Sequence, residues 1–530
     1  MPTLPQTPIQ IQPTSPVPPH LQIIQEKVDG VFEGGGALGA AYIGALNLLE
    51  NHHIWFSRVA GTSAGAITAA MIAVGFTASE IEWLCSSYPN HSQAPASLAN
   101  CGITTPIDFS SFLDFPTLND FDRDLRRKTI LWRLFKGEFI DQIGELNIPI
   151  PTKEEALVQC LNGLVNIPLV GAAVRASKGL VRDALSLALI GLPEHHLKVK
   201  DLAMIDTKSL REGLADDMWN VVMQTSPLYY LVTTLMHKGA LFAGDVFYKT
   251  LSELFGKKFD GHKDTVVRFK HLKIPLAILA ADIDRGSVVV YSSYKNPEVS
   301  VMDAVRQSMS IPFVFEPQGS KRQLVDGGVF SNFPIWLFTK AGDTYWDPTV
   351  VSDQRVKIGF TLDEHRPAPS TWNVQKARFP VSGEPKRVNK WDALKPLLAD
   401  KLIKAGFSPA LVENSLTDML YDGVTPNPGS KPTLVFLQEA LGVLDGVMST
   451  EDATRSSITN GLMVGKRYID INIPLLGFTA LDFYINGNQN DLKSIFNRGW
   501  YTAIDAFSTV TAPSIHYQIT QTEKNRSPFA

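Results

Sequence analysis

The hydrophobic pattern is clearest near the start of the chain. Val28 to Glu33 is a short apolar run that stops on Gly34, Gly35 and Gly36. From Ala37 to Glu50 the apolar residues Leu38, Ala41, Tyr42, Ala45 and Leu49 recur at helical spacing, which predicts a helix. Phe56 to Ala60 reads as a second strand, and Gly65 to Gly75 as a helix of small residues. The order predicts one β-α-β unit followed by a helix. Both turns then lie at the carboxyl ends of parallel strands, where open α/β sheets keep their ligands.

Further along, Ala78 to Tyr88 predicts a helix and Pro89 to Pro116 a loop rich in Ser, Pro, Asn and Thr. Leu118 to Met236 is helical in pattern with little strand character, and is expected to be an insertion over the sheet edge. Lys238 to Gly256 predicts another helical region broken at Gly244. Ile274–Asp282 and Ser287–Ser292 read as strands paired about the turn Asp284-Arg285-Gly286. Met302 to Met309 predicts a helix, on which Arg306 reads as a solvated side chain; a strand to Asp326 follows. Arg355–Leu362 and Tyr468–Pro474 are further strands, Val435–Met463 a long helical region and Asn490–Phe507 a closing helix. The proline-interrupted stretch 367–428 is expected to be a second surface insertion. The layout is a Pro-rich arm at 1–27, one α/β domain at 28–511 carrying the insertions 118–236 and 367–428, and a tail at 512–530.

Composition narrows the class. Of 530 residues, 44% are hydrophobic and 19% charged, ordinary proportions for a soluble globular protein. A net charge of −4 supplies no basic field to recruit nucleic acid. Cys85, Cys101 and Cys160 form neither a metal spacing nor a disulfide framework, so a reducing, cytoplasmic setting is expected, with no metal or cofactor. Residues 1–20 hold seven prolines and no Lys or Arg, unlike a secretory leader. Arg123 to Lys136 places six basic residues beside Leu125, Ile130, Leu131, Trp132, Leu134 and Phe135. That pattern suits peripheral contact with an anionic membrane surface, and equally a solvated helix with its apolar face in a core.

The candidate chemistry sits at the turns. Gly61-Thr62-Ser63-Ala64-Gly65 is a Gly-x-Ser-x-Gly nucleophile elbow, which exposes a serine hydroxyl above a sheet. The Ala64 amide and those of Gly34 to Gly36 are placed to converge on one oxyanion. Downstream, Gln323 to Gly328 is a strand that ends in Asp326 at the glycine turn Gly327-Gly328. Before it runs Ser308-Met309-Ser310-Ile311-Pro312-Phe313-Val314-Phe315-Glu316-Pro317.

These motifs together resemble the patatin-like phospholipase family. Its pattern of a Gly-Gly-Gly-x-x-Gly turn, a Gly-x-Ser-x-Gly elbow, a Ser-x-x-x-Pro-x-x-Phe-x-Pro segment and an Asp-Gly-Gly turn is present in order. The resemblance implies an α/β three-layer sandwich with a mostly parallel central sheet. It implies a lipid acyl hydrolase acting on phospholipids or other acyl-ester lipids through a Ser-Asp dyad. Ser63 is then the nucleophile and Asp326 the base, with Gly34, Gly35, Gly36, Gly39 and Ala64 as the oxyanion loop. Glu33 stands where many members have Asp, and Leu38 where many have Arg or Lys, which leaves the oxyanion to backbone amides. Such a protein works in the cytoplasm, at a membrane surface, or as an effector delivered without a signal peptide.

Other readings use the same residues. Gly34 to Gly39 as a dinucleotide fingerprint needs an acidic residue at the end of the next strand, and here that strand ends on the elbow instead. His365, after a strand in Asp363-Glu364-His365, gives the chain order Ser-Asp-His of a histidine-dependent α/β-hydrolase. A third reading is an inactive scaffold that binds a membrane or a partner.

Overall fold

The computed structural model describes residues 27–86, 93–116, 147–149, 196–198, 231, 234, 238–352, 354–372, 390–410, 412–413 and 468–509. Its strands are β1 (Val28–Phe32), β2 (Phe56–Thr62), β3 (Asn147–Pro149), β4 (His196–Lys198), β5 (Ala240–Phe242), β6 (Leu276–Asp282), β7 (Ser287–Ser292), β8 (Phe313–Phe315), β9 (Leu324–Asp326), β10 (Lys357–Asp363) and β11 (Tyr468–Pro474). Its α-helices are α1 (Tyr42–Asn51), α2 (Ala64–Val74), α3 (Ala78–Leu84), α4 (Ala96–Ala99), α5 (Asp245–Asp260), α6 (Val301–Ser308), α7 (Lys390–Lys404) and α8 (Gln489–Thr509).

The central sheet runs β11-β10-β1-β2-β6-β7, with β9 also on β6. The pairs from β11 to β6 are parallel; β7 and β9 are antiparallel to β6. The fold is therefore α/β with a mostly parallel sheet, as the strand-helix-strand pattern predicts. Alternation along the strands loads both faces. Phe32, Val59, Ile278 and Phe360 belong to one core, which includes residues of α1, α2 and α8. Val31, Ala60, Ala277 and Leu279 join a second core with Phe333, Ile335, Leu337, Phe338 and Trp346. Two 3₁₀ turns, Ile335–Phe338 and Asp343–Tyr345, lie in that second layer.

Several elements differ in type from prediction: α4 falls in the predicted loop 89–116, β3 and β4 fall in the stretch 118–236 predicted helical, and β5 replaces helix. Ala240–Phe242 is a strand, parallel to β8, where the sequence pattern predicts helix. Gly239 and Gly244 bracket it with φ of +75° and +74°. Two left-handed glycines break helical continuity on either side, so α5 starts only at Asp245. The Asp114 carboxylate holds that start, accepting from the amides of Gly244 at 2.9 Å and Asp245 at 3.1 Å.

Most of 118–236, including Arg123 to Lys136, lies outside the described residues, as do 1–26, 435–463 and 512–530. Within the first of these stretches β3 and β4 pair as a short antiparallel ribbon. Within 367–428, α7 buries Leu394, Leu397, Leu398 and Leu402 in the main core.

Candidate active site

The strand register brings Ser63 and Asp326 together. β2 runs along β6 until Thr62 pairs with Leu279. The next position of β6, Ala280, pairs with Asp326 of β9, which runs the opposite way. The two strands thus meet head-on along one edge of β6, and their carboxyl ends carry the elbow and the aspartate. Thr62 Oγ1 donates to the Ser331 carbonyl at 2.9 Å, tying the end of β2 to the segment after the Asp-Gly-Gly turn.

Ser63 has φ 53° and ψ −123°. A non-glycine residue there is strained by about 1–3 kcal/mol, which the surroundings must hold in place. Its amide donates to Ser308 Oγ at 2.8 Å, and its carbonyl accepts from Ala66 at 2.9 Å. Gly65 is required by close approach, since a Cβ there meets the Phe32 carbonyl oxygen of β1. The Ser63 hydroxyl donates to Met309 Sδ at 3.4 Å.

Asp326 is fully buried. Its Oδ1 accepts from the Gly328 amide at 2.8 Å, while Oδ2 completes no hydrogen bond among the described residues. Burial pushes the carboxyl up to about 7; the nearby Ser63 hydroxyl and the Gly328 amide pull the other way. A carboxyl that titrates near neutral pH is basic enough to take a proton from a hydroxyl in a transition state.

The glycine turn is narrower in role than the sequence suggests. The Gly34 amide donates to the Asn332 carbonyl at 3.0 Å, so Gly34 is no oxyanion donor. Gly39 lies inside a 3₁₀ helix, Gly36–Ala41, whose i→i+3 bonding uses its interior amides. Its small size matters instead, because a Cβ there meets Ala64 Cβ at 2.9 Å. The amides of Gly35, Gly36 and Ala64 carry no partner among the described residues. Gly36 has φ +54° beside the Ala480 carbonyl oxygen, a place for glycine alone. Ala64 opens α2, whose amino terminus adds favourable potential for an anion. Leu38 is buried and Glu33 accepts from the Leu362 amide at 2.8 Å, so both substituted positions serve the scaffold.

An apolar cleft opens beside these groups. Gly36, Gly39, Ala64 and Met309 line it, and its walls continue through Ile67, Met71, Ile81, Cys85, Phe112 and Leu251. Burial, with Glu82 nearby, pushes the Cys85 thiol up to about 12, so this wall stays uncharged. Among the described residues no three His, Cys, Asp or Glu side chains gather as a metal site.

Two readings change on inspection. Arg306 is not solvated: it is buried, and it donates to Ser310 Oγ at 2.8 Å, to the Ala243 carbonyl and to the Glu316 carbonyl at 3.3 Å. It clamps α6 to β5 and β8; burial lowers its pKa to about 10. His365 is exposed, its amide bonded to Asp363 Oδ1, and it makes no bond to Ser63 or Asp326 among the described residues. Ser308 opens the Ser-x-x-x-Pro segment, but nothing in the sequence shows that it and Met309 contact the elbow.

Residues 30–88 and 202–339 match the family model of patatin-like phospholipase. Ser63 falls in the first stretch and Asp326 in the second. These stretches, less than half of the chain, are similar to that family. An uncharacterised Bacillus subtilis (strain 168) protein, YqhO, is 26% identical over 330 residues, covering 59% of this chain and 67% of that protein. The chain is also similar, at 16% identity and a TM-score of 0.32, to the crystal structure of VipD from Legionella pneumophila, with 92% of this chain and 68% of that one covered. A third similarity is to ExoU, solved with SpcU, from the type III secretion system of Pseudomonas aeruginosa, at 13% identity and a TM-score of 0.19. It covers 95% of this chain and 76% of that chain. No helix among the described residues is long and apolar enough to cross a membrane.

Proposed function

We propose that this protein is a serine-dependent lipid acyl hydrolase with Ser63 as nucleophile and Asp326 as its direct base. The carrying observation is the buried Asp326 Oδ2, without a hydrogen bond among the described residues, beside the elbow hydroxyl and next to an apolar cleft lined by Ala64 and Met309. Ser63 Oγ attacks the ester carbonyl carbon and its proton passes to Asp326. The oxyanion forms against the amides of Gly35, Gly36 and Ala64. Collapse breaks the ester bond, and the leaving alcohol takes the proton from Asp326. Water then attacks the acyl-enzyme with Asp326 again as base, releasing a fatty acid and restoring Ser63. The cleft takes the acyl chain, which favours a lipid over a small polar ester.

The test is fatty-acid release from phospholipid vesicles. Ser63→Ala and Asp326→Asn are each expected to lower turnover by about 10³-fold or more with the fold retained. His365→Ala is expected to stay within about twofold of wild type, because an exposed side chain without contact to the dyad carries no chemistry. Loss of activity in His365→Ala with retention in Asp326→Asn would hand the role of base to the histidine.

A further inference from the structure

We propose that Met309 is a positioning residue: it competes with Asp326 for the Ser63 hydroxyl proton until an acyl chain occupies the cleft, so that long-chain esters are cleaved in preference to short ones. This rests on the reading of Ser63 as nucleophile. Three consecutive residues bracket the dyad. Ser308 Oγ accepts from the Ser63 amide, Met309 Sδ from the Ser63 hydroxyl, and the Ser310 carbonyl from the Asp326 amide at 2.9 Å. The first and third contacts fix backbone, so the elbow and the base stay in place. The second is a side-chain contact and is free to change.

A hydroxyl has one proton to donate. While that proton points at sulfur it does not point at Asp326 Oδ2, which is buried and completes no hydrogen bond among the described residues. The thioether is a weak acceptor, so the parked arrangement is held lightly. Met309 is buried and also lines the apolar cleft beside Gly36, Gly39 and Ala64. An acetyl group is too short to run along that cleft. A long chain runs along its wall and competes for the contacts of the Met309 side chain, whose three rotatable bonds let it move cheaply. Once the sulfur moves, rotation about the Ser63 Cβ–Oγ bond turns the proton to the neighbouring Asp326.

The experiment compares full-length wild type with Met309→Leu, a volume-conserving change that removes the acceptor, on p-nitrophenyl acetate and p-nitrophenyl decanoate. Met309→Leu is expected to raise kcat on the acetate about fivefold, the worth of one neutral hydrogen bond. Its KM for the acetate should hold, and decanoate kcat should stay within about twofold. Labelling of Ser63 by a short-chain fluorophosphonate should accelerate by a similar factor. Met309→Gln, whose carboxamide oxygen is the stronger acceptor, should slow both acetate turnover and labelling, and it decides the matter if Met309→Leu folds poorly. An unchanged acetate-to-decanoate ratio in Met309→Leu, or equal losses on both substrates, would overturn the inference. The label separates the two readings. If it lands on Ser63 while the ratio stays unmoved, only the role of Met309 falls; if it lands elsewhere, the nucleophile assignment falls too.

Discussion

Asp326 illustrates at a single residue how stability is set against chemistry. Its folded pKa is raised from 3.8 to about 7 by burial. Between those values the folded chain binds more protons than the unfolded one, so this residue's contribution to stability is lost as pH rises from about 4 through about 7. The shift of about three pH units corresponds to roughly 4 kcal/mol. Asp326→Asn is therefore expected to melt higher than wild type at about pH 8, with the gap closing toward about pH 4. Calorimetry across that range checks it, and a variant less stable than wild type at every pH would contradict the burial argument. Asp326 is singled out in the sequence by closing the ordered series of motifs, not by its turn alone, since Asp-Gly turns are common. Met309, which accepts from the Ser63 hydroxyl, is not. A methionine at a helix end looks like core, and only the strand register shows that it touches the elbow. Gly34 and Gly35 are likewise indistinguishable in sequence, yet one amide is bonded to Asn332 and the other is open.

At the scale of elements, α2 does two things at once. Ser63 caps it, and Ala64, Ile67, Thr68 and Met71 face the cleft at helical spacing. Ile67 is only partly buried and accepts a larger side chain more readily than its neighbours do. Ile67→Trp is expected to lower kcat/KM for a long-chain ester by about tenfold or more, while an acetyl ester stays within about twofold. A parallel drop on both esters would mean that the cleft does not take the acyl chain. The β1-α1-β2-α2 order was readable from period alone. β5 was not, since an Ala-Leu-Phe-Ala run of four residues fits helix and strand equally, and two left-handed glycines decide between them. Arg306 was misread for a related reason: helical position does not reveal that β5 and β8 close over it.

Across the whole molecule, the two ends of the sheet divide the work. Toward the amino ends of β1 and β2, Asp29 and Arg58 form a buried pair at 2.6 Å, with Arg355 on the same carboxylate at 3.0 Å. The Arg58 guanidinium also lies over Phe338 and Trp346, 4.9 and 5.0 Å from their ring centres. Removing one partner leaves a charge uncompensated, so Asp29→Ala should cost about 3–5 kcal/mol in denaturant unfolding. Turnover per folded molecule should hold within about twofold, since the dyad sits at the opposite ends of the same strands; a large loss of turnover at full folding would show that the two ends are coupled. The most direct test of the dyad itself is mass spectrometry of the chain quenched while it hydrolyses a long-chain ester. The account predicts an acyl adduct on Ser63 whose rate of formation rises with pH about a midpoint near 7 and collapses in Asp326→Asn. An adduct elsewhere, or one on Ser63 forming at the same rate in Asp326→Asn, would contradict it.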